Sequence, residues 1–471
     1  MHVQQLNAWL EDHRADLSGV QIQGNIGTHR LVAGEKPSKS AKCSFRARVF
    51  DLIRRRPAEI CLARFPLSEA FTARNIIQHS NAGPGYHRAS EGLVDERELV
   101  MFALMTERLK GPKSPWCSWI ATLPETFDTP TYYSDAELAE LQGTNLHHAA
   151  RLLKKQMAAV WQRLGPICAR LLREEGIKCR PPCLDDLLWS YSTFWSRGQA
   201  IPMSLKFGAE VEEGLVPGLD MCNHASPAPA RWNLDAGQSP AGNSSDIYLM
   251  VERSTACQPG AEVSIDYGDK SNEELLLLYG FCTHTRNVND QLMIPLLDTA
   301  IPPDDPMTQA RMMLLERHDC KAQLFLPFAL LHSSESRHLA GAHGIPEAAF
   351  KSLQIWATSP QQLARELSKE PPGKLDEADA PLTADILDLL VHLLSSTVER
   401  LEGPAGTGSL DADIRLLNSQ AELPVRLQHS IIYRAGQKKL ARAFLQQFQQ
   451  AAKAALQQAS PDKASKAATD R

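Results

Sequence analysis

Gly214 to Pro227 reads GLVPGLDMCNHASP, and Gly260 to Phe281 reads GAEVSIDYGDKSNEELLLLYGF. These two stretches decide how the rest of the chain is read. The first sets an Asn223-His224 pair after an apolar turn. The second is a strand ending in Ile265-Asp266-Tyr267-Gly268, then a short helix running into Tyr279-Gly280-Phe281. An Asp-x-x-Asn-His run recurs by chance, and Tyr-Gly after a strand is an ordinary turn. Found together in this order, about forty residues apart, they form a specific signal.

The surrounding chain bounds what that signal can mean. At 471 residues it exceeds one typical domain, and about two to four units are expected. With 43% hydrophobic and 22% charged residues it can bury a core, which excludes wholesale disorder. A net charge of -5 gives no global electrostatic case for nucleic acid or an acidic membrane surface. Arg54-Arg55-Arg56, with no aromatic interleaving, reads as a solvated face. No apolar run approaches the ~18 residues of a membrane span. Ten scattered cysteines fit a reducing compartment. Cys179 and Cys183 are the only close pair and lack a second ligand pair, so no metal is expected. A hydrolytic metal set built on Asp220, His224 and His284 matches no standard ligand spacing. The first residues carry Glu11, Asp12 and Asp16 and put Leu6, Trp9, Leu10 and Leu17 at near-helical spacing, so they read as folded protein rather than a targeting peptide. The expectation is a soluble intracellular monomer, of cytoplasm, nucleus or chloroplast, with neither nucleic acid nor membrane as partner.

Along the chain, residues 1–95 mix short β-like pieces (Val20 to Ile22, Arg30 to Ala33, Glu59 to Ala63) with polar loops. Apolar positions three and four apart then mark a helical block over residues 96–197, with Ser134 and Glu137 spaced as a capping box. Strands return over 198–285, clearest at Asp246 to Val251 and Val263 to Ile265. Residues 286–460 are helical again, and Leu440, Phe444 and Phe448 mark one face of a long terminal helix. Residues 461–471, rich in Ala, Lys and Asp, are expected to be a disordered tail.

The paired motifs resemble the two C-terminal motifs of SET-domain methyltransferases. In that family the resemblance implies that the Asn-His segment threads under the loop carrying the second motif, making a pseudoknot against S-adenosylmethionine. Thr122-Leu123-Pro124 and the following residues to Leu146 resemble the helical insert of the Rubisco large-subunit methyltransferase class, which includes an actin-histidine branch. The implied fold is α+β: a β-rich SET core with a pseudoknot, interrupted by a helical insert and followed by an all-helical, substrate-binding C-terminal domain. Tyr433-Arg434-Ala435-Gly436-Gln437 is one of the few phrases carrying the resemblance beyond Phe281. The cofactor-wrapping glycine motif is dispersed. Gly24 to Gly27 and Arg30 to Glu35 resemble half of it, and Phe50-Asp51-Leu52 with Phe65-Pro66 resemble the remainder, with the register open.

The resemblance implies roles residue by residue. Asn223, His224 and Arg197 would contact S-adenosylmethionine. Tyr267 would be the catalytic tyrosine, since an ordinary phenol titrates near ~10 and stays neutral while orienting an acceptor lone pair. Tyr279 and Phe281 would enclose the acceptor as an aromatic collar suited to a cation, and Asp220 would stand near the substrate channel. Gln199 matches an amide of the histidine branch, whereas Tyr279 matches the lysine branch. The function expected is S-adenosylmethionine-dependent methylation of a protein nitrogen, with lysine favoured over histidine. A catalytically silent SET scaffold is the alternative from another class.

Overall fold

The computed structural model describes residues 2–25, 28–34, 59–79, 81–202, 210–235, 246–252, 258–283, 287–297, 305–331, 345–369, 373, 375, 382–419 and 422–469. In chain order its strands are β1 (Val20–Gln23), β2 (Arg30–Ala33), β3 (Glu59–Pro66), β4 (Phe71–Thr72), β5 (Gln199–Pro202), β6 (Val211–Leu215), β7 (Ala230–Asp235), β8 (Asp246–Glu252), β9 (Gln291–Pro295) and β10 (Gln323–Pro327). The chain divides into two compact units, residues 1–132 with 152–268, and residues 133–151 with 269–471.

The first unit holds three small antiparallel sheets: β1-β2, β3-β8-β7 and β4-β6-β5. β8 is central to its sheet and buried over most of its length, which is why Ile247 to Val251 is continuously apolar rather than alternating. The helix Glu96–Lys110 starts because Asp95 accepts the Glu98 N–H at 2.8 Å, and acids occupy its first turn where the macrodipole favours them. It presents Phe102, Ala103 and Met105 to a core shared with Trp119, Trp189, Phe65 and Phe71. Burial of each such large side chain stabilises by about 1.5–3 kcal/mol. The helix Leu184–Arg197 ends at Gly198, and the chain turns straight into β5.

In the second unit the helices Ala384–Glu402 and Val425–Thr469 pack through Leu390, Leu394, Leu440, Phe444 and Phe448. Beside this apolar seam lies a buried ion cluster. Asp413 accepts from Arg434 at 2.7 Å and from Lys438 at 2.6 Å, and Arg434 also pairs with Glu140. Burial lowers the Lys438 pKa against the raising effect of Asp413.

One sequence expectation forms as read and others meet a different structure. The capping box forms as read, Ser134 Oγ accepting the Glu137 N–H and Glu137 accepting the Ser134 N–H at 2.7 Å. Residues 133–151, expected within the insert of the SET core, group instead with the C-terminal helices, and the unit boundary falls at Gly268 rather than 285. Val263 to Ile265 makes isolated bridges instead of a regular strand, because its partners change from Val32 on one side to His224 and Ala230 on the other. The helix Val425–Thr469 runs through most of the stretch expected to be a disordered tail, whose Ala and Lys are strong helix formers. Glu35, Phe50, Asp51, Leu52, Arg54 to Arg56 and His284 lie outside the described residues.

Candidate active site

The Asn-His motif and the Gly260 to Gly268 part of the second motif lie side by side in the first unit. The Ile265 N–H donates to the Asn223 carbonyl at 2.9 Å, and the Ala225 N–H to the Ile265 carbonyl at 3.1 Å. On the other edge of the same run, Val263 N–H donates to Leu31 O at 2.8 Å and Ala33 N–H to Ala261 O at 2.8 Å. The stretch from 260 to 265 is therefore held between β2 and the Asn-His segment by main-chain bonds. Within the glycine-rich segment, Leu31-Val32-Ala33 is the part laid against the second motif. Gly24 stands at φ 117 in the β1-β2 turn, where a Cβ would meet the Thr28 carbonyl oxygen at 2.4 Å, so glycine is required there.

Side chains then lock the crossing. Tyr267 donates its hydroxyl to the Cys222 carbonyl at 2.7 Å, and its N–H to His224 Nδ1 at 3.2 Å. The His224 and Tyr267 rings are 5.2 Å apart. Asn223 is exposed and donates from its amide to Glu262 at 2.6 Å.

Below this layer Asp220 is fully enclosed. Its carboxylate accepts from Trp119 Nε1 at 3.1 Å and from the Gly218 N–H at 2.8 Å, and Arg197 lies 3.8 Å away. Burial raises the Asp220 pKa, with Arg197 pulling the other way. Arg197 also donates to the Asp220 carbonyl at 2.7 Å. Asp220, expected near a substrate channel, anchors the turn that delivers Asn223 and His224. Two enclosed polar atoms, Arg197 Nε beside Asp220 and Gln199 Oε1 two residues on in the chain, have no hydrogen-bond partner among the described residues. An enclosed polar atom costs free energy unless something pairs with it, so these two suit the polar end of a bound molecule.

Sequence reading missed His29, Trp119, Cys222 and Glu262. His29 is buried with Nδ1 at 3.1 Å from the Thr122 carbonyl, and burial holds its pKa below the ordinary value, aided by Arg197. Its position inside the glycine-rich segment, and Trp119 three residues before Thr122, were the available signals.

Tyr279 and Phe281 belong to the second unit. A single capped turn, Asn272–Glu274, passes into a π-turn at Leu275–Tyr279, and Gly280 closes it at φ 84. The two rings meet edge to face at 6.4 Å. Burial raises the Tyr279 pKa.

This architecture is a SET fold of the Rubisco large-subunit methyltransferase type. The solved SET domain of LSMT bound to lysine and AdoHcy superposes with a TM-score of 0.66, covering 95% of this chain and 91% of that one at 18% identity. Rubisco LSMT bound to AdoMet gives 0.63 over 96% and 92% at 17% identity. In sequence, the chain is similar to the ribosomal lysine N-methyltransferase set10 of Schizosaccharomyces pombe, 31% identical over 234 residues, 48% of this chain and 38% of that protein. It is also similar to actin-histidine N-methyltransferase, at 27% over 204 residues in Gallus gallus (42% and 31%) and 27% over 300 residues in Danio rerio (62% and 44%). The chain thus spans less than half the length of these curated relatives. No protein-family profile matches it. Among the described residues, no helix is long and apolar enough to cross a membrane.

Proposed function

We propose that this chain is an S-adenosylmethionine-dependent protein N-methyltransferase with a lysine side chain as acceptor. The observation that carries the reading is the bond from Tyr267 to the Cys222 carbonyl, which spends the phenol's hydrogen at the crossing of the two motifs. The oxygen is left with lone pairs only, an acceptor for the N–H of an amine aligned for in-line attack. When bound, S-adenosylmethionine would supply a methyl carbon made electrophilic by its sulfonium. The Asn223-His224 backbone would cradle that cofactor, and Arg197 Nε offers it a donor. Tyr279 and Phe281 would close around the acceptor nitrogen, whose charge changes favour aromatic faces, and the helices of the second unit would hold the protein substrate. A protein substrate and lysine acceptor are in keeping with the ribosomal lysine methyltransferase similarity.

Histidine is the second reading, favoured by Gln199, whose enclosed Oε1 could take an imidazole N–H. Mass spectrometry of methylated target proteins separates the two, a mark on histidine overturning the lysine assignment. For the methyltransferase itself, Tyr267→Phe should lower kcat by about 10²–10³ while S-adenosylmethionine affinity in calorimetry barely changes. Equal losses in both would remove Tyr267 from the chemistry, and no binding by the wild-type chain would sink the whole reading.

A further inference from the structure

The Tyr433 to Gln437 phrase of the terminal helix is tied by side chains to the segment that carries Tyr279 and Phe281. Tyr433 donates its hydroxyl to Glu273 Oε2 at 2.6 Å, and Glu273 Oε1 accepts from Asn145 Nδ2 at 2.5 Å. One turn earlier, His429 Nδ1 accepts the Cys282 N–H at 3.0 Å. Glu273 lies just before the π-turn Leu275–Tyr279, and Cys282 lies just after Phe281, so one helix face grips both ends of the aromatic turn. A second brace closes the same loop: Asn272 Oδ1 accepts the Thr283 N–H at 2.9 Å, and Asn272 is held by Asp290 at 2.7 Å and 3.1 Å. Leu276, Cys282 and Tyr433 share a small apolar cluster with Tyr133, Leu138, Leu141 and Leu146.

A π-turn is a strained i to i+5 closure, uncommon in helices and frequent at functional sites. Apolar packing alone holds such a turn without directional preference, whereas a phenol-to-carboxylate bond fixes it along one line. Burial pushes the Glu273 carboxyl up and the Tyr433 phenol well above its ordinary range, so the phenol keeps the hydrogen it donates.

We propose that Tyr433 and His429 are positioning residues that set the Tyr279-Phe281 pair, so that the terminal helix determines how the acceptor nitrogen is held. The proposal rests on the reading of these two aromatics as acceptor-enclosing residues, and it assigns the Tyr433 to Gln437 phrase a role that burial alone does not give it.

The test uses the full chain carrying 3-fluorotyrosine, with the Tyr279 fluorine resonance assigned by its loss in Tyr279→Phe. Tyr433→Phe should move that resonance and lower kcat on the protein substrate about 10- to 100-fold, the range a misplaced group produces, with S-adenosylmethionine affinity kept. Glu273→Gln alone, with Tyr433 intact, should leave both close to the wild-type values, since its amide oxygen can still accept from the Tyr433 hydroxyl. Arg442→Ala, which breaks the bond from this terminal-helix residue to Glu402, controls for general loosening and should leave the resonance in place. An unmoved resonance in Tyr433→Phe, or an equal movement in Arg442→Ala, overturns the positioning role even if the wild type methylates normally. A moved resonance in a chain that transfers no methyl group would instead sink the methyltransferase reading, and the acceptor role with it.

Discussion

The segment around Tyr267 and the turn around Tyr279 are fixed by different kinds of bond. In the first unit the main chain does most of the holding: Asn223, Ala225, Ile265, Val263, Leu31 and Ala33 exchange N–H and carbonyl groups. In the second, side chains do the bridging, from Tyr433 to Glu273, from Asp290 to Asn272 and from Asp413 to Arg434 and Lys438. A region stitched by backbone tolerates change in side chains, whereas one stitched by enclosed polar side chains depends on their identity.

Four substitutions press on that difference. Asp413→Ala should do most, because it leaves the Arg434 and Lys438 side chains, 5% and 0% exposed, without their shared anion. A loss of about 3–5 kcal/mol in denaturant unfolding is expected, and a loss under about 1 kcal/mol would show that water reaches the cluster. Asn272→Ala strips three bonds from the aromatic turn and should cost about 1–3 kcal/mol by the same measurement.

Asp220→Asn tests a place in the first unit where an enclosed side chain holds the site. Its folded carboxyl is raised above the ordinary value, so the acid takes up a proton on folding. Its stabilising contribution is fully present below the ordinary pKa and is lost as pH rises through the raised folded value. The amide variant is neutral throughout, so wild-type stability minus variant stability should fall as pH climbs through that window. A difference that grows with pH would mean that Arg197 outweighs burial. The smallest effect belongs to Asn223→Ala, the same change as at 272 made where the side chain is exposed. Stability should shift by less than about 0.5 kcal/mol while S-adenosylmethionine affinity drops, and a loss as large as that of Asn272→Ala would erase the contrast.

The same contrast explains what could be read without a structure. The Asn-His and Ile-Asp-Tyr-Gly runs are local strings, so both motifs and the order of β and helical blocks were legible. So were the terminal helix face at Leu440, Phe444 and Phe448 and the Ser134 capping box, because helical period and caps are short-range. The partners were not. Nothing local says that Trp119 reaches Asp220 across 101 positions, or that His429 takes the Cys282 N–H across 147. Residues 133–151 looked like part of the insert because helical texture carries no address. Their grouping with the C-terminal helices is set by Arg434, Arg400 and Arg426 meeting Glu140, Gly143 and Glu137.

One consequence of the main-chain stitching concerns synthesis. β2 forms its outer bonds with residues 260 to 263, so Leu31 and Ala33 leave the ribosome about 230 residues before their partners exist. At translation rates of about 5–20 residues per second that gap lasts about 10–45 s. Throughout it the edge of β2 presents unpaired N–H and carbonyl groups, the kind of edge that recruits another chain. A nascent chain of this protein is therefore most exposed to mispairing in the interval before its second motif emerges, and slow codons between the two would lengthen that exposure without altering a single residue.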